Sequence, residues 1–118
     1  MKTAGLYFSI RKTKLFVRPA QIIRLEGRSN YTYVYFTDHA PILMAKVLQA
    51  YDEILQPHGF IRTHRSHLIN PLFVKELNKK GTIKMSDDTI IDISRRRKRD
   101  VLTQCLTHNI ESSKMLAS

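Results

Sequence analysis

The chain is poor in the residues that punctuate or staple a small domain: its 118 residues include one cysteine, four glycines, four prolines and no tryptophan. Cys105 alone cannot form an intrachain disulfide, and a secreted domain of this size usually carries several, so a cytoplasmic setting is expected. There is no Gly/Ser-rich linker, no internal repeat, no glycine-rich phosphate loop and no nucleophile elbow, so nothing argues for catalysis. Long apolar runs are missing too. Leu6 to Ile10 is closed by Arg11 and Lys12, and nothing approaches the roughly 20 residues a bilayer span requires, so no membrane association is expected. Acidic residues are scarce: 10 Asp+Glu against 20 Lys+Arg leave a formal charge of +10 with histidines neutral. That excess points to a polyanionic partner. What the chain does have is a hydrophobic content of 42%, enough for a packed core and too much for a disordered basic tail. A domain usually takes roughly 100 to 200 residues, which leaves room for one.

Short β-rich runs dominate the first third, at Tyr7 to Ile10, Lys14 to Val17 and Ile22 to Leu25, punctuated by Pro19 and Gly27. Tyr31 to Phe36 is the densest, with Tyr31, Tyr33 and Tyr35 facing one side and Thr32, Val34 and Phe36 the other. From Leu43 to Leu55 apolar residues recur at helical spacing, and Pro57 and Gly59 end that helix. Phe60 to Ile69 reads as one strand, Asn70-Pro71 as the cap and first position of a helical turn, and Val74 to Leu77 as another strand. Asn78 to Gly81 is a turn, Thr82 to Met85 and Thr89 to Ile93 are strands joined by Ser86-Asp87-Asp88, and Ser94 caps a last helix through Leu106. The expected fold class is mainly β, with short antiparallel strands in several small sheets and a few short helices. The expected division is an N-terminal strand extension over 1–18, a domain over 19–106 and a C-terminal tail over 107–118.

Three segments could carry function. Arg95-Arg96-Arg97-Lys98-Arg99 opens the last helix, where cations face the positive end of the helix dipole and repel one another, an arrangement folding alone would not favour. Arginine there suits phosphate oxygens and the guanine edge. Arg62 to His67 crowds polar and basic side chains onto a strand whose alternation would send Arg62, His64 and Ser66 to one face and Thr63, Arg65 and His67 to the other, unless a bulge or turn intervenes. Arg65 and Ser66 are the contacts expected there, and either histidine alone reads more simply as a half-buried, hydrogen-bonded residue. The third segment is Glu26 to Tyr31, where Gly27 would allow a tight turn exposing Arg28, Ser29 and Asn30, or would simply belong to a connecting loop. Zinc held by His64, His67, Cys105 and His108 is disfavoured, because residues three apart on a strand point to opposite faces. No metal or other cofactor is expected. The tyrosine stripe offers a second reading, a sheet that stacks unpaired bases of single-stranded RNA or DNA, although no RNP-type octamer accompanies it.

In order and wording, Ile23 to Tyr31, Phe60 to Asn70 and Ile91 to Arg96 resemble the LytTR family of bacterial DNA-binding domains, the output half of many LytR/AlgR-type response regulators. The resemblance runs from about Pro19 to about Leu106, and Phe-x-Arg-x-His-Arg-Ser with its trailing Asn is its most specific piece. It implies sequence-specific binding to double-stranded promoter DNA by loops entering major grooves, in a transcriptional regulator. Carried over by position, Arg28, Ser29, Asn30 and Tyr31 serve one major groove, and His64, Arg65 and Ser66 the middle contacts. Ser94, Arg95, Arg96, Arg97 and Lys98 serve the other major groove. Arg97 departs from the large or aromatic residue many members carry after Ser-Arg-Arg, and the basic run continues to Arg99. The resemblance also implies a second copy on DNA. Too few residues precede Pro19 for a phosphoacceptor domain, so either a stand-alone regulator controlled by abundance or a signalling partner, or an excised output domain, is expected.

Overall fold

The computed structural model describes residues 5–10, 13–78, 80–107 and 115–116. Strands β1 (Leu6–Ile10) and β2 (Thr13–Val17) form an antiparallel hairpin, with Leu6 opposite Val17 and Ile10 opposite Thr13. A 3-10 turn at Pro19–Gln21 leads into β3 (Ile22–Arg28) and β4 (Tyr31–Phe36), the centre of a five-stranded sheet. Its remaining strands are β5 (Ile42–Met44), β6 (Ile61–His64) and β7 (His67–Ile69), in the order β5-β4-β3-β7-β6. Helix α1 (Leu48–Leu55) lies between β5 and β6 in sequence. A further sheet holds β8 (Val74–Asn78), β9 (Thr82–Met85) and β10 (Ile90–Asp92), followed by a 3-10 turn at Arg95–Arg97 and helix α2 (Lys98–Thr107). The chain is therefore mostly strand in several small sheets with two short α-helices. Within the stretch expected as a tail, β11 (Met115–Leu116) pairs parallel with Leu77 and Asn78 of β8, while residues 108–114 and 117–118 lie outside the described residues.

The central sheet serves two cores, one on each face, and a bulge in β3 shifts which side chains reach each. In β3, Ile22 pairs with Phe36 but Arg24 with Tyr35, so Ile23 is an extra residue. The bulge puts Ile22 and Leu25 in one core, with Val34, Phe36, Leu68, Phe8 and Val17, and frees Ile23 for the other. Leu48, Tyr51 and Leu55, on one face of α1, close the first core. The second gathers Ile23, Ile61 and Ile69 against Val74, Leu77, Ile83, Met85 and Ile91, with Val101 and Cys105 of α2 as its lid. Asn70 clamps the crossover. Its Oδ1 accepts from the Leu72 amide, capping the turn Pro71–Phe73, and its Nδ2 donates to the carbonyls of Pro19 and Ile22.

Three expectations need correction. The helical spacing over Leu43 to Leu55 overlaps a strand: Ile42–Met44 satisfies the open edge of β4, and the Thr32 hydroxyl donates to the Lys46 carbonyl at 2.7 Å, so the helix starts at Leu48. Sheet hydrogen bonding outweighs local periodicity there. The single strand over Phe60 to Ile69 is instead a hairpin, β6 and β7 joined at Arg65-Ser66 with a bulge at Thr63. Gly27 does not make the turn before Tyr31. It stays extended within β3, where a Cβ would come within 3.1 Å of Leu48 Cβ, so its small size admits α1.

Candidate nucleic-acid interface

The β3–β4 and β6–β7 turns share one end of the central sheet, as the pairs Arg28↔Tyr31, Glu26↔His67 and His64↔His67 require. In the first turn Ser29 takes φ of 55°, the left-handed region that costs a side chain roughly 1 kcal/mol or more. Ser29 and Asn30 are exposed, and Tyr31 is half exposed. Arg28 lies over the Tyr33 ring and donates from Nε to Glu26 at 2.9 Å, which holds its guanidinium protonated even more firmly than usual. Burial works to raise Glu26, but the bond from Arg28, the proximity of His67 and the bond from Arg24 hold its carboxyl below the usual range.

In the second turn the Ser66 amide donates to His64 Nδ1 at 3.1 Å. A backbone N–H can only donate, so a neutral His64 carries its proton on Nε2. The His64 and His67 rings stand 5.8 Å apart across the hairpin, not on opposite faces as an unbroken strand would place them. The bulge at Thr63 likewise separates Arg62 from His64, so Arg62, His64 and Ser66 do not form one face. Arg62 reaches α1, where its terminal nitrogen meets Asp52 at 3.2 Å. Burial pushes His67 below the ordinary histidine range despite the opposing pull of Glu26.

The third segment is tied to the second. Ser94 occupies the position before the 3-10 turn, and its amide donates to the Thr63 carbonyl at 2.9 Å. Its hydroxyl makes no capping bond; it is buried without a partner, as is the Thr63 hydroxyl. A second backbone bond, Gly27 N–H to the Ser66 carbonyl at 2.9 Å, ties the first segment to the second. All three therefore hang on β6 and its turn, so the residues separated in sequence adjoin in space.

The described arginines sort into two groups. Arg24, Arg28 and Arg62 are bound to carboxylates. Arg18, Arg65, Arg95, Arg96 and Arg99 are exposed, and among the described residues no carboxylate pairs with them; Arg97 and Lys98 are half-buried and equally unpaired. Mutually repelling cations left unneutralised on turns form an anion-seeking surface. The tyrosine stripe is different: Arg24 sits 3.7 Å over the Tyr35 ring centre and Arg28 lies over Tyr33, so one face of each of these rings is already partnered, while Tyr31 stays half exposed. Cys105 is buried in the second core with its thiol pushed up to about 11, and His108 lies outside the described residues. Among the described residues no three His, Cys, Asp or Glu side chains gather as a metal set, and no helix is long and apolar enough to cross a membrane.

Sequence reasoning passed over Arg62 as a fastening side chain and its helix partners Asp52 and Gln49. The bulge that redirects Arg62 leaves no mark in hydropathy, although Asp52 and Gln49 do fall on the polar side of the helical pattern.

A small antiparallel β domain that gathers unneutralised arginines on adjoining turns has the charge distribution of a nucleic-acid-binding module. The chain belongs to the LytTr DNA-binding domain family, whose model matches residues 12–105. In fold it is similar to the LytTr DNA-binding domain described for a methyl-accepting/DNA response regulator from Bacillus cereus. That similarity has a TM-score of 0.69 at 18% identity, covering 89% of this chain and 98% of the other. No curated protein matches the chain.

Proposed function

We propose that this domain recognises specific sequences in double-stranded promoter DNA and acts as a bacterial transcriptional regulator. The observation that carries this reading is the sorting of cations: Arg24 and Arg62 are neutralised inside the fold, whereas Arg65, Arg95 and Arg96 are exposed and unpaired on adjoining turns. The Arg28–Tyr31 turn serves one major groove, His64, Arg65 and Ser66 the contacts between, and Ser94 to Lys98 the next major groove. The tie between Thr63 and Ser94 supports a fixed spacing of these elements. Two copies bind side by side on DNA.

Selection from a random duplex library at physiological salt tests this, because nonspecific electrostatic binding weakens there while base readout survives. The expected result is an enriched motif in two similarly oriented copies. Binding at low salt without enrichment would mean that the turns hold only the DNA backbone. Arg96→Ala should then weaken the selected site about tenfold or more and relax preference at one position. An equal loss on random duplexes, with a shallower salt dependence, would assign Arg96 to phosphate instead.

A further inference from the structure

The shape of the β6–β7 turn is set by a side chain outside it. The bulge at Thr63 directs Arg62 toward α1, where its side chain is 13% exposed. Its Nε donates to the His64 carbonyl at 2.9 Å, and one terminal nitrogen donates to the Arg65 carbonyl at 2.6 Å. The other terminal nitrogen donates to Gln49 Oε1 at 3.1 Å and Asp52 Oδ2 at 3.2 Å, both on α1. Four acceptors thus engage a fork with five N–H groups, and a lysine ammonium, with three donors and no plane, cannot reproduce the set.

We propose that Arg62 is a positioning residue for DNA recognition. Anchored on α1 by Asp52 and Gln49, it grips the two turn carbonyls and so fixes the direction in which Arg65 leaves the turn, without touching DNA itself. This rests on the DNA-binding reading above and adds the device that sets the geometry of its middle contact. The grip adjoins the tie to the first segment, since the Ser66 carbonyl, one residue beyond the gripped Arg65 carbonyl, receives the Gly27 amide.

The test compares wild type, Arg62→Lys and Asp52→Asn on the selected duplex and on a random one across a salt series, with amide exchange at Gly27 and Ser66 in the free protein. Arg62→Lys keeps the charge. It should exchange faster at both amides and lose about tenfold or more in the ratio of selected to random affinity, with random-duplex affinity and salt slope unchanged. Asp52→Asn removes a negative charge beside a basic surface. Charge alone predicts tighter binding to every duplex; positioning predicts a lower ratio even where random binding rises. Wild-type ratios in either variant, measured where the variant is folded, would overturn the proposal. Retained specificity in Arg62→Lys, with Arg62→Ala losing affinity equally for selected and random duplexes and showing a shallower salt dependence, would overturn it by making Arg62 a direct phosphate ligand. Should Arg62→Lys fail to fold, Asp52→Asn decides alone, because Asp52 is partly exposed and leaves both turn bonds of Arg62 intact. A wild-type protein with no duplex preference would overturn the DNA-binding reading and this inference with it, whereas a lost preference in the variants alone supports both.

Discussion

His67 shows how one side chain couples the candidate surface to the fold. It stands opposite Glu26 and His64, close to Arg24 and Asp92, with Nδ1 buried and unbonded. Burial lowers its pKa, and the charges of Arg24 and His64 add to that, against the pull of Glu26 and Asp92. A histidine whose folded pKa lies below its unfolded value binds fewer protons in the native state, so stability falls as pH drops through the unfolded pKa near 6.5. The melting temperature should therefore decline between about pH 7.5 and about pH 5.5, and His67→Gln should flatten that decline. Glu26 and Asp87 act in a separate window. Their lowered pKa values contribute stability above the ordinary carboxylate range that is lost only as pH falls through and below it. A wild-type melting temperature flat across the upper window would show that the His67 environment relaxes to accept the proton.

At the scale of elements, the sequence was most informative where one force acts alone. The alternation in Tyr31–Phe36 gives β4 and its buried face directly, with Thr32 and Val34 fully buried. Asn70-Pro71 and the Ser86-Asp87-Asp88 turn were legible for the same reason, since cap and turn chemistry is local. Reading failed where distant partners decide: at Ile42–Met44, recruited by the β4 edge, and at Arg65-Ser66, where hydrogen bonds from Arg62 and Gly27 make a turn out of a run that looks continuous. The candidate site was legible as three segments, but not as one surface, because the backbone bonds joining them to β6 cross from residue 27 to 66 and from 63 to 94. Gly27 belongs with these long-range cases. Its missing Cβ lets Leu48 approach, so Gly27→Ala forces a 3.1 Å contact between two Cβ atoms at the start of α1. Overpacking of this kind costs about 1 to 3 kcal/mol, offset by less than about 1 kcal/mol from a stiffer unfolded chain. Urea denaturation should show a net loss of about 1 kcal/mol. A gain would mean that α1 shifts freely, which would also loosen the Asp52 and Gln49 anchor of Arg62.

On the scale of the whole molecule, two hydrophobic cores must act as one for the three candidate segments to keep their spacing, since the first two ride on the central sheet and the third begins where the second sheet ends. Shared strands supply part of the union: β3 gives Ile22 and Leu25 to one core and Ile23 to the other, and β7 gives Leu68 and Ile69. Arg24 supplies another part. Its side chain is 6% exposed and stacks on Tyr35 of the central sheet. It donates to Glu26 beside it, and across the interface to Asp87 at 3.0 Å and to the Thr89 hydroxyl at 3.1 Å in the β9–β10 turn. Removing such a cation leaves Asp87 partly buried without a cation and Glu26 with Arg28 alone, and breaking a buried pair from one side typically costs about 3 to 5 kcal/mol. Asp87 and Glu26 keep 24% and 17% exposure, so water recovers some of that loss and about 2 to 3 kcal/mol is expected for Arg24→Ala. The same change lowers the net charge that attracts DNA by only one, so its effect on binding should come through geometry. At a temperature where the variant remains folded, selected-site affinity should fall more than random-duplex affinity. If both fall equally, the cores keep their relation without Arg24, and the shared strands alone set the spacing of the three segments.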